Sequence, residues 1–122
     1  MSLAIRTIFY LELALLFVHE MDAIRKQEWR MFIILKDMEN EKAYHMFLLL
    51  HIPLYLAIFA LLFSSLSHLA YYIIDVFLLT HALIHFGFST HPNNRLNGAV
   101  SKMLINLAGL LALIHLFAAS TK

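Results

Sequence analysis

The stretch MFLLLHIPLYLAIFALLFSSLSHLAYYIIDVFLLTHALIHFGF, residues 46–88, decides the fold class. It contains two apolar runs, residues 46–66 and 69–88, which are separated only by a short serine-rich turn. Each run is close to the ~20 residues that a helix needs to cross a hydrocarbon layer. Backbone amides in lipid must find hydrogen-bond partners within the chain, so we predict membrane-spanning helices rather than strands.

Similar runs lie on both sides of this stretch, at residues 3–24 and 99–119, and 61% of the chain is hydrophobic. We therefore predict an all-α, polytopic membrane protein: a four-transmembrane-helix bundle that forms a single domain over residues 1–122. Glu12 and His19 interrupt the first run and no small-residue cleavage site follows it. We expect this run to be a retained helix rather than a cleaved signal peptide.

Composition removes several classes of function. The chain has no cysteine, which excludes disulfides, thiolate metal sites and cysteine-bound iron–sulfur clusters. A net charge of +1 gives no reason to expect nucleic acid as a partner. The expected partners are the lipid bilayer, a lipid-like small molecule and, because a bundle of this size could dimerise, a second copy of the chain.

The polar connections predict an orientation. Residues 25–42 form a polar and amphipathic first connection in which Trp29 suits a membrane interface, and residues 89–98 form a loop. Seven lysines and arginines fall on the side of these two segments, whereas Arg6 and Lys122 lie on the other side. The bias predicts termini outside and polar loops in the cytoplasm, and it suits a bacterial inner membrane.

Ionisable side chains occur inside the apolar runs, where each costs about 2.5–3.5 kcal/mol on insertion scales. Successive helices alternate in direction, so most of these side chains reach one level near the predicted cytoplasmic face. Six of them are of types that bind metals or transfer protons: His19, Glu20, Asp22, His51, His81 and His85. Their convergence in depth predicts a site.

The spacing of two histidines indicates metal binding. His81 and His85 are four residues apart, so both imidazoles lie on one helix face and can hold one ion. With His19 and Asp22 they would form a set of three histidines and one carboxylate, which suits zinc or iron. His51 is a further candidate ligand. The alternative is that histidines bond neighbouring helices together and that Asp22 is solvated at a helix end.

A catalytic metal site also needs a group that handles protons, for which Glu20 and Glu28 are the candidates. A site just below the lipid headgroups suits an amphipathic substrate. The preferred hypothesis is therefore a membrane-embedded metal-dependent hydrolase that acts on a lipid-like substrate, with zinc favoured over iron as the divalent metal.

Two other classes of function stay open. Two histidines on facing helices could be the axial ligands of haem in an electron carrier. A non-enzymatic module, either a metal or proton carrier or a partner-binding subunit, could use Glu12 and Asp75 as a path through the membrane. His115 maps to the side opposite the predicted site, where we expect a packed or interfacial histidine.

The segment HEMDAIRKQEW, residues 19–29, resembles a group of small uncharacterised bacterial membrane proteins with four predicted helices and a His-Glu-x-Asp-Ala…Glu-Trp signature. It is also similar to the broader HxxEE membrane families, although Asp22 stands where those have glutamate. The resemblance implies a polytopic fold with a metal site or active site, and no established substrate.

Overall fold

The computed structural model describes residues 2–121 as four long α-helices with no strand in this part of the chain. A short 3-10 helix, Glu28–Met31, follows the first of them. The α-helices are α1 (Leu3–Arg25), α2 (Asn40–Leu62), α3 (Ser67–Gly87) and α4 (Ala99–Ser120). The all-α class and the four helices are confirmed.

Helix α4 lies between α1 and α3 and has extensive contacts with both, whereas α2 contacts α3 and α1 much less. The core of the bundle is apolar and includes the fully buried Phe9, Leu16, Leu78 and Ala108. A cavity remains between α2, α3 and the 3-10 helix.

Helix α2 begins at Asn40, six residues before the apolar run at residue 46 that marked its predicted start. The prediction was too late because it followed hydrophobicity, whereas the helix begins where its first amides are capped. Glu39 accepts hydrogen bonds from the backbone N–H groups of Glu41 at 2.9 Å and Lys42 at 3.0 Å. Such N-terminal caps satisfy amides that have no partner within the helix.

This cap predicts an acid-sensitive contribution to stability. The hydrogen bond from the Glu41 N–H, and then that from Lys42, lowers the pKa of Glu39 below its usual 4.5. Because the pKa of Glu39 is lower in the folded state, the cap stabilises the fold at pH values above the pKa of Glu39 in the unfolded chain. This contribution is lost as the pH falls through the pKa of Glu39 in the folded state. We expect Glu39→Ala to lower the melting temperature at pH 7 by roughly one to a few degrees.

Thermal unfolding in detergent at pH 7 and near pH 3 measures this effect. The difference from the wild type should shrink at the lower pH, because protonation of Glu39 removes the charge that the two N–H groups stabilise. Glu41→Ala is the matched control, because it removes an exposed carboxylate from the same turn but not the cap. An equal difference at both pH values would contradict the assignment.

Within residues 2–121, three helices are long and apolar enough to cross a membrane: α2, α3 and α4. Helix α1 is equally long but is not one of these three helices. It carries five charged residues along its length: Arg6, Glu12, Glu20, Asp22 and Arg25. A membrane location is therefore supported for three of the four predicted spans.

Candidate metal centre

Four side chains from three separate elements converge at one end of the bundle. They are His19 from α1, Glu28 from the 3-10 helix, and His81 and His85 from α3. One donor atom from each residue lies within 4.8 Å of the donor atoms of the others. His19 is fully buried, and Glu28 and His85 are almost so. His81 is partly buried, so the cluster is largely but not completely shielded from bulk water.

The distances within this cluster fit one small cation. Nε2 of His81 lies 3.1 Å from Nε2 of His19. Oε1 of Glu28 lies 3.1 Å from Nε2 of His85, and Oε2 of Glu28 lies 3.9 Å from Nε2 of His19. Zinc bonds of about 2.0–2.1 Å place neighbouring tetrahedral ligands about 3.3 Å apart. The four donors therefore need only small movements to surround such an ion.

An unpaired nitrogen supports the same interpretation. Among the described residues, no aligned hydrogen-bond partner reaches Nε2 of His85, although Glu28 lies beside it. Buried polar atoms are rarely left unsatisfied, and such an exception points to a function or to a bound ion. A cation between Nε2 of His85 and Oε1 of Glu28 would satisfy both atoms.

Helix α3 orients its two histidines by spacing and by packing. His81 and His85 project from one face, with ring centroids 4.7 Å apart. Phe77, one turn earlier, stacks on His81 at 5.5 Å with an interplanar angle of 22°. The ring of His19 meets His85 edge-on at 4.8 Å. These contacts leave the nitrogens facing a common centre.

Glu28 reaches the centre because α1 ends just before it. Gln27 has a left-handed backbone with φ of 56°, which turns the chain back toward the bundle. Trp29 then packs on the rings of Tyr44 and Phe47 at 5.8 and 5.5 Å. The neighbouring residue thus anchors the 3-10 helix and fixes the direction of the Glu28 side chain.

Arg30 holds the rest of the connection in place. Its guanidinium donates hydrogen bonds to the backbone carbonyls of Lys36 at 2.8 Å and Met38 at 2.9 Å, and to Oδ1 of Asn40 at 2.8 Å. The carbonyl of Arg30 accepts a hydrogen bond from Asn93 in the loop between α3 and α4. The two polar connections are therefore tied together around Glu28.

Glu20 and His51 form a separate pair next to the metal cluster. Nε2 of His51 lies 2.9 Å from Oε2 of Glu20, and Nδ1 lies 2.8 Å from the carbonyl oxygen of Phe47. A carbonyl can only accept, so Nδ1 carries a proton. The contact at Nε2 then needs one more proton, held by either the ring or the carboxyl group. The pair therefore stores a proton that it can transfer.

The structure brings together three of the five predicted metal ligands, His19, His81 and His85, and adds Glu28 to them. Asp22 lies elsewhere, where it accepts a hydrogen bond from Ser101 on α4. Both ring nitrogens of His51 are occupied by the contacts described above. His19 faces α3, whereas the adjacent Glu20 faces α2. The part of α1 that carries both residues therefore faces the space between these two helices.

Two features of the structure were not predicted from the sequence. The first is that Glu28, predicted as a proton-transfer group, lies among the three histidines as a further candidate ligand. Trp29 next to it is 2% exposed, and its burial turns the connection inward. The second feature is a contact of His115 with Asp75, which joins a residue expected to be packed or interfacial to one predicted to lie deep in the membrane.

The family comparison extends over nearly the whole chain. The model of a family of unknown function, DUF6713, matches residues 5–122. The chain belongs to this family. The match agrees with the expectation of an uncharacterised family, whereas bacterial origin and similarity to the HxxEE families stay predictions. No curated protein and no solved structure matches the chain.

In this DUF6713 member, a cavity of about 240 Å³ lies between α2, α3 and the 3-10 helix. Glu28 and His81 of the metal cluster line it, together with the Glu20–His51 pair. The other walls are apolar: Phe32, Phe47, Leu50, Leu54 and Phe77. The cavity therefore brings an apolar volume into contact with both candidate ligands and a stored proton.

A second cavity, of about 300 Å³, lies on another side of His85. It is bounded by the loop between α3 and α4 and by the first turns of α4, and its polar walls include Asn94, Asn97, Ser101 and Lys102. His85 thus borders a polar volume, while His81 borders the apolar one. An amphipathic molecule would meet both kinds of environment near the cluster.

Proposed function

We propose that the protein is a membrane-embedded, metal-dependent hydrolase that cleaves an ester bond to a long acyl chain. The observation that carries this proposal is the cavity of about 240 Å³, which contacts candidate metal ligands, a proton-transfer pair and apolar walls at once. Apolar pockets with a few converging polar groups are the usual form of small-molecule sites.

The outer surface supports a location in the bilayer. Leu49, Ile52 and Leu56 on α2 are 60%, 63% and 66% exposed, and similar apolar side chains cover the outer faces of α3 and α4. Soluble monomers rarely expose apolar patches of this extent. We propose that all four helices span the membrane, in the orientation that the basic residues predict, with the metal cluster near the cytoplasmic face.

Three histidines and a carboxylate are suited to zinc, with iron as the other candidate. A divalent ion held there would polarise an ester carbonyl and acidify a water molecule. Because catalytic zinc sites hold three protein ligands and keep one position open, one of the four donors would have to give way to a reacting group. Their burial also keeps bulk water away, which strengthens the attraction between the ion and developing negative charge.

Glu20 would move the proton. Water attacks the carbonyl carbon and gives one proton to the Glu20 carboxylate. The bond between that carbon and the alcohol oxygen then breaks, and Glu20 passes the proton to the departing alkoxide, so that an acid and an alcohol result. The hydrogen bond from His51 at 2.9 Å orients Glu20 and stabilises its charged form. His51 is accordingly a positioning residue.

Ester hydrolysis by zinc-loaded protein in detergent tests the proposal. We expect methylumbelliferyl oleate to be cleaved much faster than the acetate ester, because only the long chain fills the apolar cavity. Glu20→Gln should lower kcat by about 10²–10⁴-fold, the usual contribution of general acid–base catalysis, with metal content unchanged. Leu50→Trp should reduce oleate cleavage selectively, since it narrows the cavity.

Glu41→Gln removes an exposed carboxylate at the start of α2 and serves as the matched control. Folded, metal-loaded wild type that cleaves neither ester would contradict the hydrolase assignment. Equal rates for both chain lengths, unaffected by Leu50→Trp, would contradict the assignment of the cavity as the acyl site.

A further inference from the structure

A second group of ionisable side chains lies in the opposite half of the bundle. It consists of Glu12 on α1, Asp75 on α3 and His115 on α4, each with no exposed surface. The ring of Phe9 packs against His115 at 5.2 Å, and that of Tyr71 does so at 5.9 Å. Two carboxyl groups and an imidazole are therefore enclosed by aromatic side chains.

The internal contacts satisfy only part of this group. Nδ1 of His115 donates a hydrogen bond to Oδ2 of Asp75 at 2.8 Å. Within the described chain, no donor group reaches four other buried atoms: both carboxyl oxygens of Glu12, Oδ1 of Asp75 and Nε2 of His115. The carboxyl groups of Glu12 and Asp75 lie close enough to hydrogen-bond each other if one is protonated. No lysine or arginine of residues 2–121 forms an ion pair with Glu12 or Asp75. The ion pair in this group is the contact between Asp75 and His115.

Such a group needs either a proton shared between the two acids or a bound cation. Two neighbouring carboxylates in an apolar interior repel each other and lose their hydration, so they cannot both stay ionised without compensation. A divalent cation neutralises both charges and gives partners to the unpaired oxygens. We propose that Glu12, Asp75 and His115 form a second binding site, for a divalent transition-metal ion.

The donor set and its size suit this ligand. One donor atom from each residue lies within 4.8 Å of the others. With metal–ligand bonds of about 2.0–2.2 Å, donors on one ion lie about 3–4.4 Å apart, so a small contraction is enough. Carboxylate oxygens combined with an imidazole suit zinc, iron or manganese.

The second site is distinct from the first. Glu12 precedes His19 by seven residues on α1, which is about 10 Å along the helix axis. The fully buried Leu16 and Leu78 occupy the layer between them. Paired metal ions that share one reaction lie about 3.5–4 Å apart. The two sites should therefore fill and empty independently.

Zinc content, measured after loading with zinc chloride and removal of free metal, tests this inference. Zinc is a sensitive probe because most mixed nitrogen–oxygen sites bind it more tightly than manganese or ferrous iron. We expect two ions per chain in the wild type and one in His81→Gln/His85→Gln. Adding Glu12→Gln and Asp75→Asn to that variant should remove the remaining ion, whereas adding the surface change Glu41→Gln should not.

The outcomes separate this site from the proposed metal centre. One ion in the wild type that is lost in His81→Gln/His85→Gln would overturn the second site and leave the first intact. One ion that survives those changes but is lost in Glu12→Gln would support the second site and overturn the first. Unchanged zinc in Glu12→Gln/Asp75→Asn would show that the two acids share a proton instead, and would overturn the inference.

Zinc-edge X-ray absorption of the wild type counts the imidazoles bound to each zinc ion. This measurement tests the second site even where a variant fails to fold. Two filled sites predict an average of two imidazoles per zinc, because three histidines bind one ion and one histidine binds the other. An average of three imidazoles at one zinc per chain would overturn the second site. Circular dichroism of each variant establishes whether its helices are retained.

Discussion

Replacing His81 and His85 together by glutamine is expected to remove one zinc ion per chain and to weaken binding at the first centre by more than about 100-fold. Even outer partners of metal ligands contribute about 10–100-fold to affinity, and this change removes two of four direct ligands. Glutamine keeps a similar volume and a polar end, so the packing against Phe77 is largely retained. Elemental analysis and zinc titration of detergent-purified protein measure the effect.

The chain supplies a matched control in two histidines that are exposed and lie away from the cluster, His45 and His68. Replacing both by glutamine changes the histidine count equally but should leave zinc content unchanged. Glu28→Gln should give an intermediate loss, because a neutral amide is a weaker ligand and cannot balance the charge of the ion. Full zinc occupancy in folded His81→Gln/His85→Gln protein would refute the first metal centre.

Replacing Gly109 by alanine is expected to destabilise the bundle by about 1–3 kcal/mol, the usual cost of overpacking a core. A Cβ atom at Gly109 would lie 2.7 Å from Cβ of Ala82 and 3.8 Å from the carbonyl oxygen of Leu78. Ala82 has no flexible side chain that can move away, so α3 and α4 must separate. Reversible unfolding in mixed micelles, followed by circular dichroism, measures the loss.

Two further variants make this prediction specific. Ala82→Gly in the Gly109→Ala background removes the atom that clashes and should restore most of the stability. Gly87→Ala is the matched control, because its added Cβ meets no atom within 4 Å. Equal losses in Gly109→Ala and Gly87→Ala, without rescue by Ala82→Gly, would show that close packing against Ala82 does not explain the effect, since helix propensity alone favours alanine.

The same clash should weaken metal binding. Ala82 follows His81 directly, so a displacement of α3 from α4 changes the position of that ligand and of His85. Zinc affinity is therefore expected to fall in Gly109→Ala and to recover with Ala82→Gly. A fall without recovery would indicate that Gly109 acts on the centre by another route.

Much of the fold could be predicted from hydrophobicity. The predicted third and fourth helices, residues 69–88 and 99–119, lie within two residues of the observed bounds at each end, because serine, glycine and proline positions terminate their apolar runs. The start of α2 could not be found in this way. Its first turn is polar, and the cap formed by Glu39 determines where the helix begins.

The level of the candidate site residues along the helices could be predicted from the sequence, but the direction in which their side chains point could not. His19, His81 and His85 lie at the same level because helices of known length alternate in direction, and the structure brings them together. Whether Asp22 or Glu28 joins them depends on which helix α1 packs against and on how the chain turns at Gln27. Neither depends on local sequence spacing alone.

The sequence by itself determined that the chain forms four long helices with ionisable residues inside their apolar runs, because hydrophobic burial and backbone hydrogen bonding act through composition and length. Only the tertiary structure decided which of these residues meet. Contacts between α1, α3 and α4 set the rotation of each helix about its axis, and a rotation of about 100° separates adjacent residues such as His19 and Glu20. That rotation sends His19 to the metal cluster, Glu20 to His51, and Glu12 to Asp75 and His115.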